Sequence, residues 1–316
     1  MAFDTIKFNN DTYTVLTETV AQQVDKFNQQ SNGAIQLVAR PFRGDFDTQA
    51  AFKFIANLVR HRDIENGQNT ISSARLTQHK NVAVKVAAGT PEMLWESAHY
   101  RWVLQNPEEA AIIIGEQLGR ATIADMLNTA IKCGVAAIKG NTKAVETADN
   151  LDFAALTKGA SRFGDRSGSI AAWVMHSGAL TQLQLKALGN NERLFSYDNV
   201  SVLRDPHGRV FVVTDAPDLA VDNSGIKYNV LGLTEGGIIV NNQADFNSVI
   251  VPKTGFENIT NAYQAEWSYA ASVKGYTWDT AAGGSNPNSG ALATQSNWKQ
   301  TATSIKDTAG VLVQGA

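Results

Sequence analysis

The chain has 316 residues, 43% of them hydrophobic and 18% charged, which is enough for a substantial core and for one large or two ordinary domains. Its 27 basic and 30 acidic residues nearly cancel, leaving a formal net charge of -3, so no basic field draws it to nucleic acid as a sequence reader. A single cysteine, Cys133, excludes a disulfide framework and a cysteine-rich zinc site and reads as a small buried hydrophobe. The start, Met1-Ala2-Phe3-Asp4, lacks the basic and apolar run of a signal peptide, and no stretch is expected to span a bilayer, so a cytosolic, reducing setting is expected. The glycosylation-like triplets at Asn10, Asn199 and Asn258 are then chance matches.

In chain order, the first thirty or so residues are rich in Asn, Gln and Thr. One short helix over 17–27, with Val20, Val24 and Phe27 on one side, has too little apolar surface to dock firmly on its own body. An arm reaching another molecule and simple disorder both fit. Ile35 to Val38 and Val82 to Val86 are strand-like and bracket a polar excursion with Arg40, Arg43, Arg60, His61 and Arg62. Ala51, Phe52, Ile55 and Val59 predict a helix over 48–61. A protruding loop and an ordinary strand-helix-strand unit fit this stretch equally.

The strongest local signal follows. Asn106-Pro107-Glu108-Glu109 reads as a cap, a Pro at the first helical position and two acids facing the positive end of the dipole. Ile114, Leu118, Ala121, Ala124, Leu127, Ile131, Val135 and Ile138 then form one apolar stripe, with Glu116 and Arg120 as a pair one turn apart on the other side. Lys139-Gly140 ends a helix of about 45–50 Å at 1.5 Å per residue. Gly115, Gly119 and Gly134 each weaken it by on the order of 1 kcal/mol, so tertiary packing must compensate.

Asp152 caps a helix with Phe153, Leu156, Ala160 and Phe163 on its apolar face, stopped by Gly164. Ile170 to Met175 reads as a buried central strand, and Ser177 as the cap of a second helix. A hairpin is predicted from Val200–Leu203, a turn at Asp205-Pro206-His207-Gly208, and Val210–Val213. Further strands are Tyr228–Leu233, Ile238–Val240, Val249–Val251 and a long alternating run from Tyr263 to Lys274. Beyond Trp278 the chain loosens, with one apolar run at Val311-Leu312-Val313.

No catalytic constellation assembles from these elements. Met175-His176-Ser177-Gly178 sits where a hydrolase nucleophile would, yet Met175 and Ala179 occupy the positions where the elbow needs glycine. Five histidines make no metal-ligand spacing, and the glycines at 232, 236 and 237 match neither a phosphate loop nor a dinucleotide fingerprint. Asp215, followed by Ala216-Pro217, reads as the start of a turn. The Arg60-His61-Arg62 cluster reads as a solvated helix end or as a contact for acidic partners. No catalytic residue, cofactor or metal is expected.

Three stretches are similar in wording to the major capsid proteins of tailed bacteriophages, with their HK-ninety-seven-type fold. These are Trp173-Val174-Met175-His176-Ser177 before a helix, Val210 to Pro217, and Gly275-Tyr276-Thr277-Trp278-Asp279-Thr280 with Asn297-Trp298-Lys299 and Asp307 to Val311. The likeness covers about residues 100–316; the first hundred match in layout. The resemblance implies an α+β chain with an N-terminal arm (1–34) crossing to another subunit and an extended loop (35–90) lying over a neighbour. It further implies a peripheral domain with the spine helix (91–150), an axial domain (151–255) and a return to the peripheral domain with a C-terminal segment (256–316). It also implies a non-enzymatic shell subunit that forms hexamers and pentamers in the host cytoplasm and resides in the virion. Scaffolding, portal or decoration proteins are possible partners, packaged DNA is contacted only non-specifically, and no membrane is involved. Arg40, Arg43, Arg60, Arg62, Glu116 and Arg120 are the expected subunit-interface residues. A bacterial nanocompartment shell shares the fold. An α/β enzyme using Asp215 and Glu235, and a binding or adhesion module, are the rival classes.

Overall fold

The computed structural model describes residues 5–39, 47–52, 78–96, 105–186, 192–197, 200–204, 210–222, 225–243, 245–255 and 257–316, with Val103 and single positions between 59 and 75. The organising element is the long helix α2 (Pro107–Lys139), 33 residues or about 50 Å. Asn106 precedes it without a side-chain capping bond, so at this end the carboxylates of Glu108 and Glu109 complement the dipole. Gly140 stays right-handed (φ -65°), because the chain runs on into a short turn that Asn141 caps through Lys143 N–H. The predicted stripe is too narrow. Leu118, Leu127, Ile131, Val135 and Ile138 are buried, but Ala121 is exposed, and from Thr129 to Ile138 every residue except Lys132 is buried. This helix meets the length and apolarity required of a membrane span, contrary to the sequence expectation, yet 67% of its most apolar window is buried inside the fold. It is a core helix.

Two sheets flank α2. In the first, β1 (Ile35–Ala39), β12 (Ile238–Asn242), β14 (Thr260–Val273), β3 (Gln78–Gly89) and β2 (Asp47–Phe52) lie in that order. Strand β14 changes neighbours along its length. Its second half pairs with β12 and β3, whereas its first half pairs with β13 (Asn247–Lys253) and β4 (Met93–Glu96). The alternation predicted from Tyr263 to Lys274 holds in the first half, where Tyr263 and Ala265 are buried and Gln264 and Glu266 exposed, but from Ser268 to Ala271 every residue is buried, because that half lies between β12 and β3. In the second sheet the order is β5 (Val145–Thr147), β17 (Gly310–Gly315), β11 (Ile226–Thr234), β6 (Ile170–Met175), β9 (Val210–Thr214), β8 (Val200–Arg204) and β7 (Glu192–Tyr197), with β10 (Ala220–Asp222) on β11; β15 (Tyr276–Trp278) and β16 (Trp298–Gln300) pair by themselves. The apolar runs read as central strands occupy the centre: β6 lies between β11 and β9. Helix α3 (Phe153–Ser161) is capped by the Asp152 carboxylate accepting from Ala155 N–H at 2.7 Å. One continuous core joins Leu231 and Val174 of the second sheet to Val240 and Tyr269 of the first through Ile131 and Ile138 of α2.

Two predictions fail for physical reasons. The polar N-terminal stretch is a 26-residue helix, α1 (Thr5–Gln30), laid against α2 of the same chain, with Phe8, Thr12, Leu16 and Phe27 buried. Gly115 and Gly119 permit this: a Cβ at Gly115 would lie 2.9 Å from the Thr12 carbonyl oxygen, and one at Gly119 3.2 Å from the Thr19 methyl. The close approach lets few apolar residues suffice, so the expectation that this segment cannot dock on its own body and crosses to another subunit is corrected. Second, 47–52 is strand rather than helix, because it finds in β3 an antiparallel partner from Asp47↔Ala83 to Phe52↔Gln78. Val59 and His61 are not helical either. The rest of the predicted 48–61 helix and the Asp205–Gly208 turn lie outside the described residues.

Candidate functional site: assembly surfaces

The most enzyme-like spot is resolved by its hydrogen bonds. Helix α4 (Ser177–Lys186) follows β6, and its first intrahelical bond runs from Leu180 N–H to the His176 carbonyl, so His176 is the cap. Its Nδ1 accepts from Gly178 N–H at 3.0 Å, while Asp215 Oδ1 accepts from Ser177 N–H at 3.2 Å and lies 3.5 Å from His176 Nε2. The Ser177 hydroxyl is turned to the same carboxylate and is the main cause holding the Asp215 carboxyl below its usual range; partial burial opposes it, and that N–H and His176 add to the lowering. Ser177 is therefore not the cap predicted for it. The serine faces the acid rather than the imidazole, and the imidazole is occupied by backbone, so no serine–histidine–acid relay exists.

The other enzymatic pairing also dissolves. Asp215 follows β9, whose end lies beside Met175, whereas Glu235 follows Thr234, which pairs with Ile170 at the opposite end of β6. The two acids stand at opposite ends of the sheet. Among the described residues, no group of three or more His, Cys, Asp or Glu side chains is placed to hold a metal. Cys133 is fully buried and its thiol is pushed up to about 12, chiefly by that burial.

What the molecule does present is uncovered apolar surface. Where β4, β14 and β13 run side by side, Leu94, Ala262 and Val251 stand opposite one another in a single row, with Val249 opposite Gln264 one step along. Leu94, Val249 and Val251 are 54%, 50% and 50% exposed. The reverse face is closed: Ile250 and Tyr263 pack in one cluster with Phe8, Ala110 and Leu118. The segment between β2 and β3 carries a second set, with Val59, Ile64 and Ile71 at 88%, 87% and 61% exposure. Every described residue from 59 to 75 is exposed.

Of the six residues expected at a subunit interface, Glu116 and Arg120 lie one turn apart on the exposed side of α2. Arg40, Arg43, Arg60 and Arg62 lie outside the described residues. Sequence reasoning missed Leu94, Val249 and Val251. Their signal was the run Val249-Ile250-Val251, since an apolar strand with only one face buried at home leaves the other face greasy.

A long helix spanning two sheets, a long strand shared between two sets of neighbours, and an outlying β2–β3 hairpin define the tailed-phage capsid class of shell subunit. A chain of Microbacterium phage Oxtober96 has the same fold, with TM-score 0.51 and 10% identity over 90% of this chain and 90% of that one. So does the capsid of Ralstonia phage GP4, with TM-score 0.50 and 9% identity over 78% of this chain and 84% of that one. The chain belongs to the Gp13-like family of major capsid proteins ("Major capsid protein 13-like"), which matches residues 4–312. No curated protein matches it in sequence. It is a structural, non-enzymatic major capsid subunit, a component of the virion that assembles with copies of itself into the capsid shell.

Proposed function

We propose that the subunit forms hexamers and pentamers that close into an icosahedral shell around double-stranded DNA, built in the host cytoplasm with scaffolding, portal or decoration proteins as further partners. In this reading 35–90 is an extended loop over a neighbour, 91–150 with 256–316 the peripheral domain, and 151–255 the axial domain. Arg40, Arg43, Arg60, Arg62, Glu116 and Arg120 face adjoining subunits. One observation carries the reading: a hairpin extension whose described residues 59–75 are all exposed holds three apolar side chains that its own fold does not cover. Exposed sets of this kind mark surfaces that partners complete. A net charge of only -3 keeps repulsion between copies low and leaves contact with DNA non-specific. Expression followed by light scattering and negative-stain microscopy tests it. Capsomers and closed shells are expected; a compact monomer under every assembly condition refutes it.

A further inference from the structure

We infer that a cavity beneath the middle of α1 is a binding site for a small molecule built on one aromatic ring and carrying one hydrogen-bond acceptor. Helix α1 is held at two points. Toward its start it lies so close to α2 that a Cβ on Gly115 would meet Thr12 and Val15, and one on Gly119 would meet Thr19. At its end the Asn28 side chain clasps β1, accepting from Leu37 N–H at 3.0 Å and donating to the Leu37 carbonyl at 2.8 Å. Pinned at both places, the helix cannot settle further between them, and a cavity of about 140 Å³ remains where α1, β1 and α2 meet. Leu16, Leu37 and Met126 in its wall are buried, and Val20 and Val24 are half-buried.

Size and lining select the guest. An apolar cavity of about 150 Å³ stays dry and admits a benzene ring. The hydroxyls in this wall are turned to backbone: Thr17 donates to the Tyr13 carbonyl and Thr122 to the Leu118 carbonyl, both at 2.8 Å. Asn242 is engaged as well. What is left is the indole Nε1 of Trp267, buried and without a hydrogen bond among the described residues. One unmet donor in an otherwise apolar wall suits a guest with one acceptor better than a water, which needs about two to four polar partners. The ring follows from the same wall. Tyr13 stacks on Phe246 with centroids 5.3 Å apart, and Phe246 on Trp267 at 6.0 Å, so a guest ring meets an aromatic series that it can extend. Trp267 also borders a second cleft with Asp125 and Lys132 in its wall, whereas Val20 and Val24 line only the first.

Titration of the unassembled full-length subunit with benzonitrile, toluene and methylcyclohexane tests this, and it stands or falls apart from the shell reading. The indole N–H resonances of the six tryptophans are followed by NMR, with Trp267→Phe identifying the one that belongs to Trp267. Benzonitrile is expected to bind saturably, to move the Trp267 N–H resonance downfield and to bind about 2–10-fold more tightly than toluene. Methylcyclohexane, of similar size but with no aromatic ring, should bind more weakly than either. Trp267→Phe keeps a ring and removes the donor, so it should erase the advantage of benzonitrile over toluene. Val20→Phe fills the cavity and should abolish binding of both while the thermal melt stays at or above that of the wild type; Val24→Phe makes the same test from the next turn of α1 should the first variant not fold. No saturable binding of any of the three compounds overturns the inference, as does methylcyclohexane binding as tightly as toluene. Undiminished binding to a folded Val20→Phe or Val24→Phe overturns it by placing the guest elsewhere. A benzonitrile advantage that is absent in the wild type, or that survives in Trp267→Phe, overturns the pairing of acceptor with indole.

Discussion

The docking of α1 makes a sharp claim about two glycines four residues apart. Replacing an interior helical Gly by Ala stabilises a helix by about 1 kcal/mol if the methyl has room. At Gly115 it has none: the new carbon would lie 2.9 Å from the Thr12 carbonyl oxygen and 3.0 Å from Val15 Cβ. The first of these is backbone of a buried residue, so relief requires α1 to move, and forced overpacking costs about 1–3 kcal/mol. Gly115→Ala is therefore expected to be destabilising by roughly 0–2 kcal/mol. At Gly119 the nearest atoms are the methyl and Cβ of Thr19 at 3.2 and 3.3 Å, side-chain atoms of a half-buried residue that can turn away. There most of the helical gain survives, so Gly119→Ala should be more stable than Gly115→Ala by about 1–3 kcal/mol.

Urea unfolding of the unassembled subunit measures the difference, and amide exchange over 5–20 locates it. Gly115→Leu extends the series. It should lift the first half of α1, uncovering Phe8 and Leu16 at about 1.5–3 kcal/mol each and collapsing protection there while 120–139 stays protected. A Gly115→Ala variant as stable as Gly119→Ala, or full protection of α1 in Gly115→Leu, would refute the close packing of the two helices.

Three further outcomes follow from single interactions. Asp152→Ala removes the acceptor for Ala155 N–H and should cost about 1 kcal/mol in urea unfolding, with Asn in its place recovering most of the loss. The Asp215 carboxyl lies below the usual carboxylate range, chiefly through the Ser177 hydroxyl, so its stabilisation is present above that range and is lost as pH falls through the folded value. Ser177→Ala removes the largest cause, so the acid limb of the stability curve below about pH 4 should flatten and the Asp215 titration, followed by NMR, should move up. An unmoved titration contradicts the assignment. Cys133 should resist iodoacetamide in the folded protein at neutral pH and react only as the chain unfolds. Stoichiometric labelling of the native subunit, seen by mass spectrometry, would show that its burial is wrong.

Much of the fold from Pro107 onward was legible because its signals are local. The Asp152 cap, the apolar β6 run and the alternation of β14 each act within a few residues, and the structure puts all three to use. What escaped depends on partners distant in sequence. Helix α1 looked too polar to dock because its inward face includes Thr12, whose hydroxyl satisfies itself on the Phe8 carbonyl at 2.8 Å and so can be buried. The matching signal, Gly115 and Gly119, lay a hundred residues away and read as a weakness of the long helix. Residues 47–52 carried helical spacing, and only their ladder with β3 decides for strand. At 177 the sequence offered a serine with capping chemistry, but the backbone places His176 one step earlier at the cap, and the acid that completes the arrangement comes from β9.

The assembly surface escaped for a different reason. Catalytic and metal sites announce themselves through unusual side chains, whereas Leu94, Val249 and Val251 are ordinary strand residues whose meaning depends on what fails to cover them. The core settles which residues those are. Its largest cluster runs unbroken from Val174 and Leu231 through Ile131 and Ile138 to Tyr269, so both sheets and the long helix are held at home. Uncovered apolar residues include a set at the β4–β14–β13 end of the first sheet and another along the β2–β3 connection, besides single ones such as Ile6 and Leu185 on helices. A monomer gains nothing from leaving such side chains in water, since each loses on the order of 1.5–3 kcal/mol relative to burial. In a shell the same residues are where association can add stability that the fold leaves unclaimed, because binding that favours the folded state is itself stabilisation. The subunit is thus firm where its two sheets meet the helix and incomplete at its extremities, and that division lets one fold close on itself before it closes on its neighbours.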